Sequence, residues 1–225
     1  MKKTLIAASI TLSTLTFGPL ALAHEAGDWI VRGGVIHVEP DDESGKVEVT
    51  GLGKTGMEVS VDGDTQLGLN LAYMITDNWG VELLAATPFT HDVSLEKSEL
   101  GLGDGALGEV SHLPPTLMAQ YYFGNSSTQL RPYVGAGINY TVFFDESFKG
   151  SRKEQGFNSL DLDGSFGWSA QIGLDYMVDD NWLINGQVRY IDINTDANFK
   201  VGDAKSKVEI DIDPWVYMVG VGYKF

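Results

Sequence analysis

The 225-residue sequence contains no cysteine, only seven prolines, and 15 basic residues against 31 acidic ones. Without cysteine there is no disulfide framework and no thiolate metal site. The shortage of Lys and Arg leaves a formal charge of −16, which argues against a nucleic-acid partner because phosphate binding needs clustered cations. Long apolar runs are scarce as well. The one from Leu5 to Leu22 is interrupted by Ser and Thr, follows Lys2 and Lys3, and leads into Ala21-Leu22-Ala23. It reads as a secretory signal over residues 1–23, with the mature chain at 24–225. No later segment reaches the roughly 18 consecutive apolar residues that a membrane-spanning helix requires.

Catalytic and metal motifs are missing too. His24, His37, His91 and His112 have no metal-ligand spacing, and no nucleophile elbow is present. His91 and His112 are nominal candidates for acyl transfer from a loop, but an inert, solvent-exposed histidine is the simpler expectation. The acidic clusters Asp41-Asp42-Glu43 and Asp161-Leu162-Asp163 lack a calcium-loop pattern and read as solvated. No enzyme activity, cofactor or metal is expected.

What the sequence does have is alternation. From Trp215 to the final residue, Trp215, Tyr217, Val219, Val221, Tyr223 and Phe225 occupy every second position. Successive strand side chains point to opposite faces, so these six form one large apolar face. Eight such stretches lie near residues 28–39, 64–76, 79–92, 113–124, 131–144, 165–178, 182–195 and 207–225. The joins between them run alternately long and short, and the long ones carry Gly, Asp, Glu, Lys and Ser. An internal repeat marks two short joins: Leu69 to Trp79 reads LNLAYMITDNW and Ile172 to Trp182 reads IGLDYMVDDNW. Both are expected to be tight hairpins, since Asp and Asn bond the local backbone and tolerate left-handed geometry.

Every second residue over Trp29–Val35, Leu67–Ile75, Trp79–Thr87, Leu117–Phe123, Val134–Val142, Trp168–Tyr176, Trp182–Tyr190 and Trp215–Phe225 falls on the more apolar face, and none of these is charged, in a chain that is 20% charged. Arg32, Glu82, Asp175, Arg189 and Lys224 fall on the opposite face, with Asn70, Gln120, Asn139, Gln171, Asn185 and Gln187. A soluble barrel would turn the apolar face inward and the charges outward. Against that arrangement, Tyr73, Trp79, Tyr121, Phe123, Tyr176, Trp182, Tyr223 and Phe225 gather near the short joins, and Trp168, Tyr190 and Trp215 near the long ones, as two girdles. The last strand spans roughly 25 Å once tilted, close to the height of an outer-membrane apolar band. The expected fold is all-β: an eight-stranded antiparallel transmembrane β-barrel with short periplasmic turns and four longer external loops, in the cell outer membrane.

With the strands placed, four stretches resemble the outer-membrane protein W (OmpW) family. They are Glu82 to Phe89 (ELLAATPF), His112 to Gly124 (HLPPTLMAQYYFG), Arg131 to Tyr140 (RPYVGAGINY), and Asp213 to Tyr217 (DPWVY) with the closing Gly222 to Phe225 (GYKF). The resemblance spans nearly the whole mature chain and is weakest at residues 40–63 and 145–164. It implies a Gram-negative outer-membrane channel, narrow and largely apolar, for small hydrophobic molecules. It also implies that the barrel-assembly machinery reads the terminal Phe225, and that the wall meets outer-membrane lipid and lipopolysaccharide.

An eight-stranded barrel has room for side chains or one small ligand, not for a wide pore. On the inward register, Met74, Leu84, Ala86, Pro88, Met118, Phe143, Ile191, Val216 and Met218 are apolar, most of them toward the long loops. Arg32, Glu82, Gln120, Asp175 and Arg189 are mixed with or below them. The pattern predicts an apolar pocket above a polar, ion-paired plug, with lateral release of a hydrophobic solute into the bilayer. Pro88, Pro114, Pro115 and Pro214 sit toward the external strand ends, where they either terminate pairing or leave the wall open. The alternative is a non-conducting structural or surface-recognition barrel that acts through its external loops.

Overall fold

A computed structural model describes residues 23–41, 43–44, 48–49, 53–54, 58–96 and 104–225. Apart from Ala23, the expected leader lies outside these residues, as does Asp42 of the first acidic cluster. Eight strands form the barrel: β1 (Trp29–Glu39), β2 (Asp64–Met74), β3 (Trp79–Ala86), β4 (Thr116–Tyr122), β5 (Leu130–Phe148), β6 (Ser165–Met177), β7 (Trp182–Ile191) and β8 (Trp215–Lys224). Each pairs antiparallel with its neighbours in sequence. The ring closes where β8 pairs β1, from Ile30–Lys224 to Glu39–Trp215. Closure removes every sheet edge, which a strand surrounded by hydrocarbon requires.

The two faces sort as the alternation dictates. Val35, Leu67, Leu69, Ile138, Ile172, Ile184, Val219 and Val221 are exposed on the outer wall, while their inward neighbours are buried. The aromatic girdles are continuous ring contacts rather than scattered residues. On the turn side Trp29 meets Tyr73 at 4.9 Å, Trp79 meets Tyr121 at 5.1 Å, and Trp182 meets Tyr223 at 5.0 Å. On the other side Tyr190 lies 5.2 Å from Trp168 and 5.4 Å from Trp215.

The sequence repeat is a structural repeat. Ile75 N–H donates to the Trp79 carbonyl and Val178 N–H to the Trp182 carbonyl, both at 2.8 Å. Thr76 Oγ1 accepts from Trp79 N–H at 2.9 Å, and at the equivalent place Asp179 Oδ1 accepts from Trp182 N–H at 2.7 Å. Asn78 and Asn181 both turn their amides onto the next strand end, Asn78 donating to the Tyr122 carbonyl and Asn181 to the Lys224 carbonyl. Each turn therefore ties its hairpin to a third strand.

Above the outer girdle the ring divides. The third expected strand does not run to residue 92: β3 stops at Ala86, and the chain resumes as a separate strand, Phe89–Glu96, after Thr87-Pro88. Leu113 and Thr116 are likewise separated by Pro114-Pro115, and the expected 207–225 strand is broken before Pro214 into Ala204–Asp211 and β8. Proline lacks the N–H that a ladder needs, so pairing lapses at one level around the barrel. The expected long loops are largely strands. One small sheet joins Glu58–Val61, Phe89–Glu96, Gly105–Leu113 and the top of β5. A second joins Phe157–Leu162, Asn194–Val201 and Ala204–Asp211, with the short pieces at 43–44, 48–49 and 53–54. Their apolar sides supply residues to one core, with Phe148 of the first sheet 5.3 Å from Phe157 of the second.

Candidate functional site

The lumen is layered. At mid-height four charges from four strands converge: Arg32 (β1), Glu82 (β3), Asp175 (β6) and Arg189 (β7). Arg32 Nη1 pairs with Glu82 Oε2 at 3.1 Å, and its Nη2 and Nε pair with the two oxygens of Asp175. Arg189 Nη2 pairs with Glu82 Oε1 at 2.7 Å. All four side chains are at most 1% exposed. Such charges are tolerated without water only when every one is matched, and here two guanidinium groups face two carboxylates.

Neutral groups extend the network. Arg32 donates to Tyr122 Oη at 2.8 Å, and Tyr122 donates on to Gln120 Oε1 at 2.7 Å. Gln171 Oε1 accepts from Arg189 Nε at 2.9 Å. Asn185 donates to Asp175 Oδ1 at 2.7 Å and to Tyr133 Oη at 3.0 Å. The five expected plug residues, Arg32, Glu82, Gln120, Asp175 and Arg189, thus belong to one connected cluster. Tyr122 and Tyr133 complete the cluster and were not among the expected site residues. Their places two residues after the buried Gln120 and Arg131 are the signal that puts them on the inner face.

Below the plug, Ile30, Ala72, Met74, Met177 and Leu183 pack with both tyrosines. Met74 therefore belongs to this lower layer and not to the upper pocket. The segment at residues 23–24 closes the bottom. His24 Nε2 bonds Asp175 at 2.8 Å, Arg131 Nη1 donates to the His24 carbonyl at 3.1 Å, and Lys224 Nζ donates to the Ala23 carbonyl at 3.1 Å.

Above the plug the lining turns apolar. Leu84, Phe143, Ile191, Val216 and Met218 join one core with Ile36, Val38 and Phe89, and Ala86 packs against it. Met118 is fully buried. Pro88 is the correction: it is exposed, because the strand breaks there and Phe89, 1% exposed, takes the inward place. The apolar layer continues upward between the two small sheets into a cavity of about 40 Å³, bounded by Val59, Leu95, Leu107, Phe157, Phe199 and Val208 among others. Among the described residues, no polar side chain lines it. Val59, Leu95, Leu107, Phe157 and Phe199 were outside the expected site because they fall between the expected strands, whereas Val208 lies within the expected strand 207–225 but was not among the expected lining residues.

A groove of about 560 Å³ lies on the outer wall, where Gly33, Gly34, Gly68, Ala85 and Ala86 carry little or no side chain between Val35, Leu67 and Leu69, beside the Thr87-Pro88 break.

A closed eight-stranded barrel with an uncharged outer wall, paired aromatic girdles and a lumen sealed by buried ion pairs defines an outer-membrane β-barrel protein. The model of the OmpW family matches residues 25–225, and the chain belongs to that family. It is 50% identical over 227 residues to outer membrane protein W of Vibrio cholerae, covering 100% of both chains. Its fold is similar to the crystal structure of the outer membrane protein OprG from Pseudomonas aeruginosa, with a TM-score of 0.86 and 48% identity over 91% of this chain and 99% of that one. A more distant relative, 26% identical over 201 residues and covering 89% of this chain and 90% of its own, is the dibenzothiophene metabolism operon protein PahQ of Pseudomonas aeruginosa.

Proposed function

We propose that this barrel takes small hydrophobic molecules from the external medium into the outer membrane. The observation that carries the reading is the all-apolar cavity separated by an apolar layer from the ion-paired plug beneath. An apolar solute gains by leaving water for such a cavity, roughly 25 cal/mol per Å² of its surface. It gains nothing by crossing the plug, where it would have to break buried charge pairs. Discharge is therefore sideways, and the groove over Gly33, Gly34 and Gly68 beside the strand break marks the place for it. The operon name of PahQ, which refers to a sulfur-containing aromatic compound, agrees in chemical class. In this reading small hydrophobic solutes occupy the cavity, lipid and lipopolysaccharide surround the girdles, the assembly machinery reads Phe225, and no catalysis takes place.

The test is uptake of a hydrophobic fluorescent probe by outer-membrane vesicles, with a small hydrophilic solute as control. Barrel-dependent uptake of the hydrophobic probe alone is expected, and Leu84→Asp with Met118→Asp should abolish it. Undiminished uptake by that variant would sink the apolar route. A second reading, a non-conducting recognition barrel working through its external sheets, is favoured by the completeness of the plug. Failure of both solutes to enter with correctly folded protein would select it.

A further inference from the structure

The external cavity has a polar floor. Where Phe89–Glu96 pairs with Gly105–Leu113, a second cavity of about 30 Å³ shares Val93, Val110, Leu162 and Ile210 with the apolar one above it. Its walls include two imidazoles. His91 and His112 stack with 4.8 Å between ring centroids and 11° between planes, and Phe89 covers His112 at 5.5 Å. Both histidines are 4% exposed, contrary to the solvent-exposed loop residues expected from the sequence.

Their hydrogen bonding is incomplete in a specific way. His91 Nδ1 lies 2.5 Å from the carbonyl oxygen of Asp62. A carbonyl only accepts, so Nδ1 carries the proton and Nε2 of the neutral ring is a bare acceptor. That Nε2 is buried with no partner, and so is Nε2 of His112. Buried polar atoms without partners are rare, and two on stacked rings at one cavity wall call for a ligand that supplies both halves of a hydrogen-bonding pair.

We propose that this floor is a receptor for the hydroxyl group of an otherwise apolar solute. The solute O–H donates to His91 Nε2, its oxygen accepts from His112 Nε2–H, and its hydrocarbon part extends into the apolar cavity above. The volume admits a group the size of one water molecule, which a hydroxyl is. A carboxylate has no proton for His91 and meets no positive charge, since burial pushes His112 down to about 3, helped by His91 beside it, and burial lowers His91 too. An amine offers donors but no free acceptor in its protonated form. Alcohols and phenols fit.

The inference rests on the hydrophobic-uptake reading, and its test separates the two. Full-length barrel in nanodiscs, labelled at Val and His, is titrated with toluene, p-cresol and p-toluate, which share ring and methyl. Saturable methyl shifts at Val93 and Val110 report cavity binding, and imidazole ¹⁵N shifts report the floor. Toluene is expected to bind, p-cresol to bind about tenfold more tightly with a His91 and His112 response, and p-toluate to bind no better than toluene. His91→Phe with His112→Phe should reduce the preference for cresol over toluene, both measured on the variant, to within about twofold. Heat-modifiable migration of the variant confirms folding, and the wild-type titrations decide the question even if the variant does not fold. Equal binding of toluene and cresol to wild type overturns the receptor and leaves the uptake reading intact. A cresol preference that survives the double variant overturns the role of the histidines. Saturable binding of neither compound overturns both readings.

Discussion

Tyr133 on β5 lies over Gly173, its register partner on β6, and its ring fills the space that a Cβ at position 173 would take. From there the hydroxyl accepts from Asn185 and donates to Gln187, so a glycine in the wall fixes an aromatic in the lumen. Gly173→Ala must push the ring off this seat. The expected cost is about 1–3 kcal/mol, the usual range for overpacking, read as a lower urea midpoint by tryptophan fluorescence in lipid vesicles.

Arg32→Met leaves Asp175 buried without its arginine and Glu82 with Arg189 alone. Removing one member of a buried pair costs about 3–5 kcal/mol, and the same urea series should show a loss of that size. Asp175→Asn added to Arg32→Met should recover part of it, because Glu82 keeps Arg189. No recovery would mean that the arginine acts by filling space and not by neutralising charge.

The external sheets should loosen in acid. Burial lowers His91, and His112 is pushed down to about 3, whereas both titrate near 6.5 when the sheets open. The open state therefore binds more protons between those values, so stability is complete above pH 6.5 and falls as pH drops below it. The slope is at most about 1.4 kcal/mol per pH unit for each histidine. Hydrogen exchange at 89–96 and 105–113, corrected for intrinsic rates, should accelerate between pH 7 and pH 5, with β1 and β8 unchanged.

Thr76 and Asp179 do the same work in the two repeated turns, each side chain accepting from the N–H of the following tryptophan. Each also accepts from the asparagine N–H before that tryptophan, Thr76 from Asn78 at 3.3 Å and the Asp179 carboxylate from Asn181 at 2.9 Å. Alanine at either site should cost about 0.5–1.5 kcal/mol, the net worth of a hydrogen bond, with the Asp179 variant at the larger end. Refolding yields and urea midpoints of the two variants provide the comparison.

The barrel was legible because its outer wall faces a solvent that tolerates no charge, which stamps a period of two on every strand from Trp29 to Phe225. The plug was legible for the complementary reason: a charge such as Glu82 or Asp175 inside a strand has only the lumen to occupy. The external sheets were harder to see. Their outer faces meet water, so polar residues such as Glu96, Glu109 and Lys200 between apolar ones look like loop composition, and Gly105 and Gly202 punctuate them. Pro88 misled because register was carried across a residue that itself ends the register. The paired nitrogens of His91 and His112 left no trace at all, since they depend on two strands meeting at one level and not on spacing along the chain.

Two arginines against two carboxylates make the plug electrically silent. The acidic charge that dominates the chain's composition is carried elsewhere, much of it on the water-facing external sheets at residues such as Asp92, Glu109, Asp196 and Glu209. A membrane potential finds little net charge among these four groups to pull on, and an ion that reaches them finds each charge already paired.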